Sequence, residues 1–423
     1  MAHILEELRA MDQAERPIRI GLIGGGQMGL GLAGQLPHVP GLILTGICDH
    51  HQEKVDQLMA VYQAERTRVS DGNARAWPLR GSVDFRSIVD WDAVDVVVEA
   101  TGTTETAAQV ALACLAARKH LVLLNVEVDI TIGPLLHKRF EAAGLIYTGS
   151  NGDEPAETLK LFRMAQTMGL QPLVAGKGKN NRIDYGANPD TCRAEANARG
   201  MNPKMLASFK DGTKTMAEMT LLSNATGFIP DVPGMHGITG DLSETLAKLQ
   251  KREEGGILSD YGRVDYVNGL APGVFVIAQA PNRWVAEELR YMMQQKGDHF
   301  IFYRPFHLGS LETPLTIARA FLHKEMAITP LPGGPVCDTV CVAKKDLPAG
   351  CLLDGMGGYC LRGRIETRLM VQKEGHVPLG LIAGDCRTKR AIREGEVLTW
   401  ADLALDESTT IVQLRREQES EPC

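Results

Sequence analysis

The sequence predicts an α/β fold: a doubly wound parallel sheet, then an α+β segment, then a small β module. Three observations predict it. Short, continuous apolar runs alternate with helical stretches from Ile18 to about Ser150, as in strands buried on both faces and joined by crossover helices. The stretch 171–330 then turns polar and loop-rich, and the segment 331–423 contains an internal repeat. At 423 residues the chain exceeds one ordinary core. The expected boundaries are 1–165, 166–330 and 331–423.

Composition narrows the class. Hydrophobic residues make up 44% and charged residues 23%, as in a soluble globular protein. The net charge of −7 and the absence of a long basic run argue against nucleic acid as a partner. No apolar run approaches the roughly 20 residues of a membrane span, and MAHILEELRAMDQAERP lacks a signal-peptide core. Nine cysteines without a CxxC pair fit reduced thiols in a cytoplasmic protein better than a disulfide frame or a zinc site.

In chain order, Ile4, Leu5, Leu8 and Met11 fall at helical spacing and read as a docking helix. Ile18–Ile23 is an apolar strand, Gly24-Gly25-Gly26-Gln27-Met28-Gly29 follows it, and Leu30–Leu36 is helical. The second strand, 42–49, ends in Asp49. Strand, glycine loop, helix and distal acid together predict a Rossmann dinucleotide-binding unit. Gly24 allows the tight turn, Gly26 the approach of a pyrophosphate, and Gly29 close packing of helix on strand. Gln27 and Met28 complete the loop, and the phosphates sit on N–H groups at the helix N-terminus.

The stretch from about Ala64 to Asp90 reads as an irregular insertion on the sheet edge. Further strands follow at 94–101, 120–125 and 145–150, with Thr104–Arg118 helical between the first two. Ligands of doubly wound folds lie beyond the carboxyl ends of strands. Thr101, Gly102 and Asn125 therefore line the cofactor toward its nicotinamide end, with Asn125 equally able to cap the next turn. Asp49 favours NAD, because a carboxylate accepts from ribose hydroxyls and repels a 2′-phosphate. The neighbouring His50 and His51 blur that preference, so the cofactor is written NAD(P). Glu127, Asp129, Asp153 and Glu154 can orient substrate hydroxyls or hold a divalent metal such as Mg²⁺ or Mn²⁺. Asp153 and Glu154 can equally cap the helix that starts at Pro155.

The middle segment is dense in functional groups. Lys177-Gly178-Lys179-Asn180-Asn181-Arg182 follows an apolar strand, Pro172–Ala175, and reads as an anion site for substrate. Asp211-Gly212-Thr213-Lys214 opens a helix ending near Gly227, with Lys214 and Glu218 on one face. Lys214, Lys179, Asp211 and Glu218 are the candidate catalytic groups, since an ammonium beside a carboxylate can polarise a carbonyl and move a proton. His236, in a tight glycine turn, reads as structural. Arg304 and His307 either bind a substrate phosphate or form ion pairs.

In the last segment, VAKKDLPAGCLLD (342–354) matches TKRAIREGEVLTWADL (388–403), with Lys345 on Arg390, Leu347 on Ile392, Gly350 on Gly395 and Leu353 on Leu398. Two strand-turn-strand copies at one constant offset predict a small pseudo-symmetric β module. Pro330-Leu331-Pro332-Gly333-Gly334-Pro335 sets it off.

VVEATG, LLNVEVD, AGKGKNN, DGTKTMAEM, PGMHG and AKKDLPAG together resemble the homoserine-dehydrogenase-like oxidoreductases with a C-terminal SAF (β-clip) domain. The resemblance spans Ile18 to about Gln418. Some bacterial members are similar in activity to 1-deoxy-D-xylulose 5-phosphate reductoisomerase. They imply NADPH-dependent formation of 2-C-methyl-D-erythritol 4-phosphate, an isoprenoid precursor. True homoserine dehydrogenases carry Asn-Gly-Thr where this chain has Asp211-Gly212-Thr213, and a lysine where it has Asn125-Val126-Glu127, which counts against homoserine. The expectation is an NAD(P)H-dependent oxidoreductase of a small, phosphorylated hydroxy-carbonyl compound, acting as a homo-oligomer. A homoserine-type dehydrogenase and a nicotinamide-binding sensor are the alternatives.

Overall fold

The computed structural model describes residues 3–69 and 77–420, which fall into two compact units. The first takes the chain up to Asp153, Leu308–Thr329 and the last turns from Gln413; the second takes Glu154–His307 and Pro330–Val412. These units do not coincide with the three consecutive segments expected at 1–165, 166–330 and 331–423. The chain leaves the first unit one helix earlier, and the terminal β module groups with the middle segment.

The first unit opens with α1 (Ile4–Gln13), started by a capping box in which His3 accepts from Leu5 N–H and Glu6 accepts from His3 N–H at 3.1 Å. Leu8 is buried, with Ile4 and Met11 packed against the same core, as the helical spacing predicts. There follow β1 (Ile18–Ile23), α2 (Gln27–Gln35), β2 (Leu42–Cys48), α3 (Gln52–Val69), β3 (Arg80–Ser82) and α4 (Arg86–Val89). The half closes with β4 (Val96–Glu99), α5 (Thr104–Ala116), β5 (His120–Leu123), α6 (Val126–Ala142) and β6 (Tyr147–Gly149). The six strands are all parallel in the order β3-β2-β1-β4-β5-β6. This is the doubly wound dinucleotide order, with its switch point between β1 and β4.

The irregular insertion expected over 64–90 is a correction. Helix α3 continues to Val69, and Arg80–Ser82 pairs with β2 as the sheet's edge strand. Val55, Leu58 and Tyr62 bury one stripe of α3 and outweigh its mixed polar composition; part of the stretch, 70–76, lies outside the described residues.

The second unit contains α7 (Glu154–Thr167), β7 (Gln171–Lys179), α8 (Pro189–Ala198), α9 (Pro203–Lys210) and α10 (Thr213–Thr226). Next come β8 (Ile229–Pro230), β9 (Ile238–Thr239), α11 (Leu242–Lys248), β10 (Arg263–Asn268), β11 (Val274–Gln279), α12 (Arg283–Met293) and β12 (His299–Arg304). The sheet is mixed, β12-β11-β7-β10-β8, with β7 parallel to β10 and antiparallel to β11. The strand expected over Pro172–Ala175 runs on to Lys179, so Lys177 and Lys179 are strand residues on one face and not loop residues.

After α13 (Thr313–Leu322) in the first unit, the terminal module forms the antiparallel pair β13 (Cys337–Ala343) and β14 (Leu361–Thr367), then α14 (Arg368–Glu374), β15 (Arg387–Thr388) and β16 (Leu403–Ala404). The two repeat copies pair with each other across a pseudo-twofold axis. Leu347 faces Ile392 on the axis, and the bridges Val342–Val397 and Leu352–Arg387 exchange under it. Hydrogen bonds follow the same rule: Gly350 N–H to Thr388 O and Gly395 N–H to Ala343 O, at 2.8 and 3.0 Å.

The final helix, α15 (Thr410–Ser420), repairs a defect in α6. Pro134 inside α6 has no N–H and interrupts the helical ladder. Leu135 N–H donates to Gln418 Oε1 at 3.1 Å, and Thr131 O accepts from the buried Arg415 at 2.8 Å. Side chains of a distant helix thus satisfy polar groups that would otherwise be buried unpaired.

Candidate active site

In the first unit the glycine loop has the geometry its sequence requires. Gly24 has φ +116°, and a Cβ there would stand 2.5 Å from Ala100 O. A Cβ on Gly29 would stand 2.0 Å from Gly24 O, so only glycine allows α2 to pack on β1. Around Gly26, by contrast, a Cβ would meet nothing within 4 Å. That open space in front of α2, whose N-terminus has no side-chain cap, fits a pyrophosphate. Gln27 and Met28, the first residues of α2, are exposed there. Asp49 at the end of β2 faces the loop, its Oδ2 accepting from Gly25 N–H at 2.7 Å.

At the end of β4, Thr101 N–H donates to Glu99 Oε1 at 2.8 Å and the Thr101 hydroxyl donates to the same oxygen. Gly102 follows with φ +72°. Burial pushes the Glu99 carboxyl up to about 7 against these two donors. Asn125 is buried and caps α6: its Oδ1 accepts from Val128 N–H at 3.4 Å and its Nδ2 donates to Thr103 O at 3.3 Å. Of its two expected roles, the structure supports capping. Glu127 and Asp129, expected toward substrate or metal, lie in the first turn of α6. Both are buried in α6. Asp129 accepts from Tyr147 Oη at 3.2 Å, and burial pushes its carboxyl up to about 7.

In the second unit the anion site expected over Lys177–Arg182 is not formed as one cluster. Lys177 points into the interior, where its Nζ donates to Glu154 Oε1 at 2.6 Å and also to Glu218 Oε2. Two carboxylates neutralise this ammonium and hold its pKa above the usual lysine value despite burial. Lys179, two residues on, donates to Asn181 Oδ1 and Phe209 O, both at 2.9 Å. Burial and the Lys177 charge push it down to about 8. Asn180 and Arg182 are exposed. The spacing itself depends on Gly178, whose Cβ would stand 2.2 Å from the Leu270 carbonyl carbon.

Arg304 and His307 take the ion-pair alternative: Arg304 pairs with Glu157, and His307 Nε2 lies 3.2 Å from Glu154 Oε1. Glu154 begins α7 and spends its carboxylate on Lys177 and His307, so it does more than cap. The His236 ring lies on Asp231 at 2.9 Å, and its backbone N–H donates to the buried Asp265 at 3.1 Å.

Helix α10 collects the remaining candidates. Lys214 is its second residue and is buried at 7% exposure. A cation in the first turn opposes the helix dipole, and Glu218 one turn later, itself 1% exposed, acts on it electrostatically. Asp211 is fully buried. Its Oδ1 accepts from Thr213 N–H at 2.8 Å, and its Oδ2 lies 2.6 Å from Lys344 Nζ. That corrects its catalytic assignment, because an enclosed, paired carboxylate anchors the helix start and reaches no substrate.

Sequence reasoning passed over Lys344 and Glu99. Lys344 stands just after β13 in the repeat and also donates to Ala187 O and Gly358 O, at 2.6 and 2.8 Å. Around it the terminal hairpin grips α10: Thr213 Oγ1 accepts from Gly363 N–H at 2.8 Å, the Thr220 and Thr339 hydroxyls meet at 2.8 Å, and Asn224 Oδ1 accepts from Cys337 N–H at 3.0 Å. The repeat itself gives no signal for Lys344, because Lys389 stands at the matching position of the second copy.

Residues 152–313 match the family model described as "Oxidoreductase DRL, catalytic domain". No curated protein matches the chain. Among solved structures, the chain is similar to a probable dehydrogenase from Thermotoga maritima, with 14% identity, 73% of this chain and 90% of that one covered, and a TM-score of 0.44. It is also similar to the WlbA dehydrogenase from Bordetella pertussis in complex with NADH and UDP-GlcNAcA, with 19% identity, coverage of 42% and 51%, and a TM-score of 0.31. An NAD binding oxidoreductase from Klebsiella pneumoniae shares 17% identity over 63% and 64% of the two chains, with a TM-score of 0.34. The match to an oxidoreductase catalytic domain over residues 152–313 thus follows, in the chain, a six-stranded parallel sheet of Rossmann order. No helix among the described residues is long and apolar enough to cross a membrane.

Proposed function

We propose that this enzyme reduces the carbonyl of a small hydroxy-carbonyl compound, with Lys214 as the group that stabilises the developing alkoxide and Lys179 as its proton source. The observation that carries the reading is the buried charge cluster of the second unit, in which Lys177 of β7, Glu154 at the start of α7, and Lys214 and Glu218 of α10 act on one another. The bound nicotinamide supplies the hydride. Lys177 and Lys214 together offset the charges of Glu154 and Glu218, so those carboxylates hold the lysines in place without a net repulsion of an oxyanion. Lys179, pushed down to about 8, is suited to give and take a proton near neutral pH.

The expected phosphate on the substrate has less support than the carbonyl chemistry. Lys177, Arg304 and His307 are paired with acids, which leaves Lys179 and the exposed Arg182 as the cations of that segment toward an anion. The Lys177 ammonium stands between Glu154 and Glu218, where the two carboxylates would otherwise favour a divalent cation.

The test is oxidation of NADH and NADPH with 1-deoxy-D-xylulose 5-phosphate, unphosphorylated hydroxy-ketones and aspartate semialdehyde, the carbonyl partner of homoserine. Lys214→Met should lower the hydride-transfer rate by roughly 10²–10⁴-fold with cofactor affinity unchanged. Turnover of 1-deoxy-D-xylulose 5-phosphate supports reductoisomerisation, and turnover of the semialdehyde alone supports the homoserine-type reaction. A Lys214→Met enzyme as fast as the native one overturns the proposal and favours a sensor.

A further inference from the structure

Asp49-His50-His51 follows strand β2, and the three side chains share one arrangement. Asp49 is turned inward and 11% exposed: Oδ2 accepts from Gly25 N–H at 2.7 Å and Oδ1 accepts from His51 N–H at 3.0 Å. The imidazoles face outward, 80% and 66% exposed, with each Nδ1 close to Asp49 Oδ1, at 3.3 Å for His50 and 3.5 Å for His51. Their ring centroids are 3.7 Å apart.

An acid at this position selects NAD by accepting from the adenosine ribose and repelling a 2′-phosphate. Here its oxygens are largely spent on backbone N–H groups of its own unit, and a histidine pair is what it presents outward. We propose that His50 and His51 make the choice between NAD and NADP depend on pH. As neutral rings they leave the Asp49 charge uncompensated, and NAD is preferred. As imidazolium ions they offset Asp49 and offer N–H donors to a 2′-phosphate, and NADP is accepted. Other charged groups around the segment, among the described residues, are Glu53 and Lys54 in the first turn of α3 and Asp84 beyond β3. Lys54 Cβ lies beside Gly25, and Asp84 and Asp49 both act on Cys48. Of these side-chain types, imidazole alone ordinarily changes charge between pH 6 and 8.5.

This inference rests on the glycine-loop reading, and the test separates the two. NADPH and NADH binding to the full chain is measured by titration calorimetry at about pH 6.5 and about pH 8.5, in low and high salt. The native protein and the His50→Gln/His51→Gln variant are compared. NADPH should bind about tenfold more tightly at the lower pH, an effect that high salt weakens, with NADH within about twofold throughout. The variant should lose this gain and retain only the shallow contribution of the phosphate's own titration. Equal pH dependence in native and variant proteins, or a flat NADPH response in the native one, overturns the inference. Failure of both nucleotides to bind overturns the glycine-loop reading and this inference with it.

Discussion

Replacing Lys344 by Met should unfasten helix α10. The ammonium pairs with Asp211 Oδ2 at 2.6 Å, with the two side chains 3% and 0% exposed, and donates to the carbonyls of Ala187 and Gly358. Removing one partner of a buried ion pair leaves an uncompensated charge, at a cost of about 3–5 kcal/mol. Each orphaned carbonyl adds about 1 kcal/mol or more. A loss of roughly 5–7 kcal/mol is a large share of the ~5–15 kcal/mol that holds a domain folded. Part of the loss is recovered on acidification, because Asp211, already raised by burial, escapes its charge by taking a proton. The effect is read by urea unfolding followed by circular dichroism, in Lys344→Met, Asp211→Leu and the double variant. The double variant should be more stable than either single one, since no lone charge remains. A Lys344→Met protein destabilised by less than about 1 kcal/mol, or a double variant no better than the singles, would refute the reasoning.

Three further outcomes are expected. Gly26→Val should weaken NAD(P)H binding by more than about tenfold with the melting temperature almost unchanged, because its side chain enters open space and blocks only the pyrophosphate; a calorimetric titration and a melt read the two effects. Turnover should fall above about pH 8 as Lys179 loses its proton, and Lys179→Arg should move that limb upward by more than one unit; an unmoved limb removes Lys179 from proton transfer. Asp129→Asn should stabilise the protein by about 1–2 kcal/mol at pH 8. The folded carboxyl binds its proton up to about 7, so the native state loses stability as pH rises through the window from its unfolded value to 7. The Asn variant, which keeps an acceptor for Tyr147, should lose that slope in melts across pH.

Much of the fold was legible because its signals are contiguous. The Rossmann half is written in single segments: an apolar strand, a glycine turn whose spacing answers to backbone contacts within a few residues, and an acid one strand away. The repeat was legible for the same reason, since its two copies carry the same local pattern and the pseudo-twofold pairing follows from their likeness. The edge strand at Arg80–Ser82 was not, because three polar residues acquire strand structure only from the neighbour they pair with.

The sequence by itself determined the strand, glycine turn, helix and distal acid of a Rossmann unit, and it set lysines at 177, 179 and 214. Only the tertiary structure decided which of those lysines keep a charge to offer. Strand register turned Lys177 onto Glu154 and Glu218, and the terminal module brought Lys344 to Asp211 from 133 residues away in the chain. The physical reason is that ion pairs and burial are set by through-space distance. A run such as Lys177-Gly178-Lys179 has the same local sequence whether its charges meet solvent, a substrate or a pair of glutamates.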